Sequence, residues 1–264
     1  MSTLLCTALA LLLVTLPAAA VEQFDIEVLE RRPQPRDHFV QGLEIVDGKL
    51  YVSTGMYGES RLLRYDFASG RRLDTRHLNR TLFAEGVTVL QDTVYQLTWR
   101  NRLMLTYERA TLEHRGGWPM PGEGWGLTND GEQLIYSDGS DKLHFISPKD
   151  GRRQKSITVR ENGAPLRALN ELEWIDGSIW ANVWGTERIV IIDPASGDVT
   201  ASVDLEGLLP AAEYRPGTDV LNGIAHNRDG DETWVTGKRW PWLYRIRLVP
   251  KIAENVPTPG AKSR

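Results

Sequence analysis

The chain has 264 residues, 41% hydrophobic and 25% charged, with 24 Gly, 14 Pro, nine Trp and one Cys. That length and balance support a folded core and exclude a disordered or collagen-like chain. A net charge of −4 argues against a nucleic-acid partner, because phosphate binding needs clustered Lys and Arg to release counterions.

From the N-terminus, the first element is an apolar run from Leu4 to Ala20 that ends in Ala18-Ala19-Ala20 and gives way to Val21-Glu22-Gln23. It reads as a secretory signal over residues 1–20. A membrane anchor is the alternative, since the segment has no basic residues at its start. Pro17 and the small residues favour cleavage over the end of a spanning helix, which needs about 20 apolar residues. Cys6 lies in this leader, so removing 20 of the 264 residues leaves 244 without a cysteine. Such a chain uses neither disulfides nor thiol catalysis, which suits an exported protein, periplasmic or secreted, that is free of the membrane after cleavage.

The segment Phe24 to Leu29 alternates apolar and polar residues, the period of a strand, and has no repeat of its own. Beyond it a tripeptide recurs five times, as Gln41-Gly42-Leu43, Glu85-Gly86-Val87, Trp125-Gly126-Leu127, Asn170-Glu171-Leu172 and Asn222-Gly223-Ile224. The spacings are 44, 40, 45 and 52 residues. Each copy precedes a second β-rich stretch: Leu50–Thr54, Val94–Trp99, Gln133–Asp138, Ile179–Trp184 and Thr233–Lys238. Third strands follow, such as Leu62–Asp66 and Ile189–Asp193, and turns such as Asp66–Gly70 and Asp193–Gly197 lead to a fourth. Four short antiparallel strands per period of about 40 to 45 residues, uninterrupted by a major helix, describe a propeller blade. The predicted fold is therefore all-β: a five-bladed β-propeller, its ring closed by the N-terminal strand pairing as the outer strand of the last blade. One domain is expected over residues 21–251, followed by a flexible tail over 252–264. A closed ring leaves no obvious sheet edge and predicts a monomer.

In a blade, the start of the first strand and the end of the second meet at the same end of the ring. The first tripeptide position reads Gln41, Glu85, Trp125, Asn170, Asn222, and the matching strand ends read Thr54, Trp99, Asp138, Trp184, Lys238. The Gly and aliphatic positions between them repeat because each blade needs the same packing, whereas these positions vary and are polar or aromatic. Their convergence predicts one axial pocket with a carboxylate, an ammonium, several amides and three indoles. Tryptophan walls exclude water, so Glu85 can be held nearer neutrality and act as a general acid or base. Lys238 can stabilise an oxyanion, and Gln41 and Asn170 can both donate and accept, which suits an amide-bearing substrate. Taken singly, each residue has an ordinary explanation as core or solvated surface.

Other chemistries find little support. The five histidines show no zinc-type spacing, no Gly-x-Ser-x-Gly elbow occurs, and Gly122-Glu123-Gly124-Trp125-Gly126 lacks the flanking strand and helix of a dinucleotide loop. Asp138 and Asp141 fit a blade turn better than a calcium loop. Neither a metal nor a cofactor is expected for catalysis.

The strings Phe39-Val40-Gln41-Gly42-Leu43-Glu44, Glu85-Gly86-Val87-Thr88, Gly122-Glu123-Gly124-Trp125-Gly126-Leu127-Thr128, Leu169-Asn170-Glu171-Leu172-Glu173, Ala181-Asn182-Val183-Trp184 and Val235-Thr236-Gly237-Lys238 resemble the plant and bacterial glutaminyl-peptide cyclotransferases. The likeness runs in consistent order from about Phe39 to Tyr244. It implies a five-bladed propeller and an enzyme that converts the N-terminal glutamine of peptides or proteins into pyroglutamate with release of ammonia. By the same resemblance Glu85 is the general acid/base, Gln41, Asn170 and Lys238 are polar substrate and oxyanion contacts, and Phe39, Trp99, Trp125 and Trp184 form the aromatic pocket. Two other readings of the pocket stay open: a non-catalytic propeller that binds a sugar or peptide end, and a metal-dependent hydrolase or lactonase.

Overall fold

The computed structural model describes residues 20–251, and among these the only helical element is a single 3-10 turn at Ala211–Glu213. The expected leader, apart from Ala20, and the expected tail lie outside the described residues. The chain opens with β1 (Glu22–Pro33). Next come β2 (Val40–Val46), β3 (Lys49–Thr54), β4 (Arg61–Asp66) and β5 (Arg72–His77), an antiparallel sheet in chain order. A second such sheet holds β6 (Ala84–Leu90), β7 (Thr93–Thr98), β8 (Leu103–Glu108) and β9 (His114–Pro119). A third holds β10 (Leu127–Asn129), β11 (Leu134–Ser137), β12 (Lys142–Ile146) and β13 (Arg153–Thr158). After a short hairpin of β14 (Arg160–Glu161) and β15 (Ala164–Pro165) come β16 (Leu169–Ile175), β17 (Ser178–Val183), β18 (Arg188–Ile192) and β19 (Val199–Asp204). The last strands are β20 (Leu221–Asn227), β21 (Glu232–Gly237) and β22 (Trp242–Pro250).

These last two groups share one eight-stranded sheet, in the order β16-β17-β18-β19-β1-β22-β21-β20. β1 is the join. It runs antiparallel to β22 from Phe24 opposite Pro250 to Pro33 opposite Trp242, and parallel to β19 from Glu22 opposite Ala201 to Phe24 opposite Val203. The antiparallel pairing is the one the alternating pattern predicts. The parallel contact exists because the strand starts at Glu22, two residues before that pattern begins.

The first strand of each group is deeply buried. β6 is buried along its whole length and β2 in all but its last residue, whereas the fourth strands, such as Arg72–His77, carry charged residues that reach solvent. The first strands touch in a cycle: β2 packs against β6, β6 against β10, β10 against β16, β16 against β20, and β20 against β2. Hydrophobic clusters lie between the faces of neighbouring groups. Tyr51 and Leu62 meet Val87, Val94 and Tyr107, and Leu97 and Met104 meet Leu127, Leu134 and Tyr136.

The recurrent tripeptide has a local structural cause. In β2, β6, β16 and β20 the pairing with the next strand slips within it, between Val40 and Gly42, Ala84 and Val87, Leu169 and Leu172, and Leu221 and Ile224. Such a bulge leaves an unpaired residue and re-aims its side chain. The middle glycine allows backbones to meet: a Cβ on Gly42 would lie 2.4 Å from Val87 N, and one on Gly86 2.4 Å from Leu127 N. Glu171 replaces that glycine in the fourth copy. Its side chain is fully buried and accepts hydrogen bonds from the backbone N–H groups of Leu43 (3.1 Å) and Ile224 (2.8 Å), tying three first strands together.

Candidate active site

The bulges and the residues just past the second strands build one cavity of about 370 Å³, lined by Phe39, Gln41, Phe83, Glu85, Trp99, Trp125, Asn170, Trp184, Asp219 and Lys238. All eight residues that the resemblance assigns to the site are among them. Gln41, Glu85 and Asn170 come from bulges. Trp99, Trp184 and Lys238 each stand one residue beyond the end of β7, β17 and β21. There the chain is still held: Trp99 N–H donates to Phe83 O, Trp184 N–H to Ala168 O, and Lys238 N–H to Val220 O.

Three positions in the predicted series, Thr54, Asp138 and Asn222, fall elsewhere. Thr54 is the last residue of β3, paired with Val40 and buried. In the first group the residue past the strand is Gly55, whose N–H bonds Phe39 O, and the space a side chain would take there is filled by the Phe83 ring, 2.4 Å from an added Cβ. Asp138 turns away from the cavity. Its Oδ1 accepts from Ser140 N and Oγ, and its Oδ2 bonds His144 Nε2 at 3.0 Å. These bonds hold its carboxyl near 2 in spite of burial, which acts the other way. The arrangement is that of a turn. Asn222 is buried behind the cavity, its amide donating to Val40 O.

Glu85 is 4% exposed. Its Oε1 accepts from Gln41 Nε2 at 2.9 Å, and burial pushes its carboxyl well above the usual range against the opposing effects of Lys238 and Gln41. Burial likewise lowers Lys238, against the attraction of Glu85 and Asp219. The Lys238 ammonium lies 5.0 Å from the centre of the Phe39 ring, a contact that suits a partly desolvated cation. The amide of Gln41 is already committed through one N–H to Glu85, so the structure makes Gln41 a support for that carboxylate as well as a cavity wall.

The aromatic wall consists of two runs of ring contacts. Phe39 meets Phe83 edge-on at 6.3 Å, Phe83 meets Trp99 at 5.5 Å, and Trp125 meets Trp184 at 6.1 Å. Trp184 is 51% exposed and forms the rim. A buried acid and an ammonium that line one indole-walled cavity can move a proton on a neutral substrate and stabilise negative charge.

Sequence reasoning missed Phe83, Glu123 and Asp219. The first two stand two residues before Glu85 and Trp125, as Phe39 stands before Gln41, so extending the repeat by two positions would have found them. Glu123 does not line the cavity but bonds two residues that do. Asp219 is an exposed rim residue outside the repeated positions and left no such signal.

A family model described as glutamine cyclotransferase matches residues 3–248. The chain belongs to the glutamine cyclotransferase family. A glutaminyl-peptide cyclotransferase from Arabidopsis thaliana is 36% identical over 237 residues, covering 88% of this chain and 73% of the relative. The crystal structure of Myxococcus xanthus glutaminyl cyclase superposes with a TM-score of 0.81 at 30% identity, over 88% of this chain and all of that one. This family member thus shares an all-β architecture with a solved glutaminyl cyclase. Among its described residues no helix is long and apolar enough to cross a membrane.

Proposed function

We propose that this chain cyclises the N-terminal glutamine of peptides and proteins to pyroglutamate, with Glu85 as the proton carrier and Lys238 as the stabiliser of developing negative charge. The observation that carries the assignment of roles is the buried Glu85 facing Lys238 within an indole-walled cavity. The substrate brings both nucleophile and electrophile, so the protein supplies orientation and no covalent partner. The tryptophans fold the glutamine side chain back until its α-amine meets the γ-carbonyl carbon. The new C–N bond forms as the amine nitrogen gives its proton to Glu85. The γ-oxygen takes up negative charge within reach of Lys238 and Asn170. As the tetrahedral centre collapses, Glu85 returns the proton to the amide nitrogen, which leaves as ammonia.

The five four-stranded groups, β1 counted with the last, are read as blades of a five-bladed propeller in one domain over 21–251. The cycle of first strands and the joining role of β1 support this. Catalysis is proposed to need no metal or cofactor, and the chain to be exported and monomeric. The apolar leader and the cysteine-free remainder support export, and the paired outer strand of the last group supports a monomer. Ammonia release from a Gln-initiated peptide, measured with and without a chelator, is the test. Release that survives chelation is expected. Release lost on chelation would mean a metal-dependent enzyme, and binding without release would mean a non-catalytic module.

A further inference from the structure

Glu123 stands at the repeat position that Phe39 and Phe83 occupy in the first two groups, yet it is charged. Its Oε2 accepts from the indole Nε1 of Trp99 at 2.8 Å and from that of Trp125 at 3.1 Å. Its other oxygen lies 3.4 Å from Arg100 Nε, and the Arg100 guanidinium covers the Trp99 ring at 4.1 Å. The two indoles belong to different four-stranded groups, Trp99 at the end of β7 and Trp125 just before β10. An indole has a single donor, so the acceptor it finds sets the tilt of its ring. One carboxylate oxygen that takes both donors sets the two rings relative to each other. The Glu123 side chain is 34% exposed, so it reaches solvent and does not serve as core filling.

We propose that Glu123 is a positioning residue for the cyclisation: by accepting both indole N–H groups it fixes Trp99 and Trp125 in the pose that folds the substrate glutamine back on its own amine. The proposal rests on the cyclisation reading of the cavity. A second effect accompanies it. Burial raises the Glu85 carboxyl, Lys238 and Gln41 lower it, and the negative charge of Glu123 adds to the rise.

The test compares wild type, Glu123→Ala and Glu123→Gln by ammonia release from a Gln-initiated peptide across pH, together with indole N–H resonances in ¹⁵N-labelled protein. In Glu123→Ala both indoles lose their acceptor. KM should rise about tenfold, as expected for losing hydrogen bonds worth about 1.4 kcal/mol, and the Trp99 and Trp125 signals should move. The carboxamide oxygen of Glu123→Gln still accepts twice, so KM should return to within about twofold of wild type. Its indole signals should shift less than in Glu123→Ala, and the acidic limb of kcat should move to lower pH because a negative charge near Glu85 is gone. Glu123→Ala with wild-type KM, or Glu123→Gln no better than Glu123→Ala, overturns the proposal. Should Glu123→Ala not fold, indole signals in Glu123→Gln identical to wild type overturn it, since a neutral acceptor replaces a charged one. Wild type that releases no ammonia overturns the cyclisation reading instead, and the indole signals then judge the clamp alone.

Discussion

Glu85 has to be a base when the amine attacks and an acid when ammonia leaves, and its surroundings act on its carboxyl in opposite directions, with burial the larger effect. Burial raises its carboxyl, while the Lys238 ammonium and the Gln41 amide lower it. Replacing it with Gln keeps the shape and removes a buried charge, so Glu85→Gln should melt no lower than wild type while kcat falls about 10²- to 10⁴-fold, the range for losing general acid–base catalysis. Near-normal turnover would refute the role. Lys238 acts on charge that develops during the reaction, so Lys238→Met should lower kcat more than it raises KM. The sign of its effect on Glu85 is also determined. Without the ammonium the carboxyl rises further, and the acidic limb of the pH profile should move to higher pH. A rise in KM with unchanged kcat would make Lys238 a binding residue. The residues of this site were legible because a repeat exposes its own exceptions: where five copies share packing positions, seven of the ten positions that differ line one cavity. Gln41 was only half legible, since its commitment to Glu85 depends on a contact 44 residues away.

At the scale of the strand, the sequence pattern located the second and third strands to within about one residue but was blind to the bulges. A bulge adds one residue without breaking the run of buried positions, so β2 and β6 read as regular strands. Glu171 was equally hidden. As a charged residue where the other copies carry glycine it looked like a drifted repeat, whereas it is the acceptor that joins β16 to β2 and β20. Two more buried carboxylates do the same between neighbours: Glu44 accepts from Val89 N–H, and Glu173 from His226 N–H. Burial raises all three, Glu44 to about 7. An acid whose carboxyl is raised on folding holds its proton more tightly in the folded state. Its contribution is therefore intact below about 4.5, and the folded state loses stability as pH climbs from there through the raised value. For Glu44, the interval from 4.5 to about 7 corresponds to at most about 3 kcal/mol. The protein should accordingly melt lower at pH 8 than at pH 5. Glu44→Gln, which cannot ionise, should lose several degrees less over that interval. Equal losses in both proteins would show that Glu44 does not titrate there.

The whole molecule depends on a strand that comes first among the described residues and joins the two halves of the eight-stranded sheet. β1 supplies the outer partner of β22, touches β19, and packs Phe24 and Ile26 against the cluster that contains Trp180, Val235 and Tyr244. Its ends have a particular geometry. Phe24 lies opposite Pro250, and Lys251 N–H donates to Gln23 O, so the start of β1 adjoins the end of β22. The same pairing could be made by a hairpin, with residues 22–33 placed after Lys251 through a short turn and the chain starting at Gln34. Two variants separate the contribution of the strand from that of its covalent attachment. Deleting residues 22–33 exposes the edges of β19 and β22 and removes the two half-buried side chains of Phe24 and Ile26. Against a total stability of about 5 to 15 kcal/mol, that should leave no cooperatively folded protein at 37 °C. The permuted chain restores every pair, so it should melt within a few degrees of wild type and release ammonia from the same peptide. Deletion without a fall in melting temperature would mean that the sheet is complete without β1. A permutant that fails while the intact chain folds would mean that the link from Pro33 into β2, next to Phe39 and the cavity, matters more than the pairing itself.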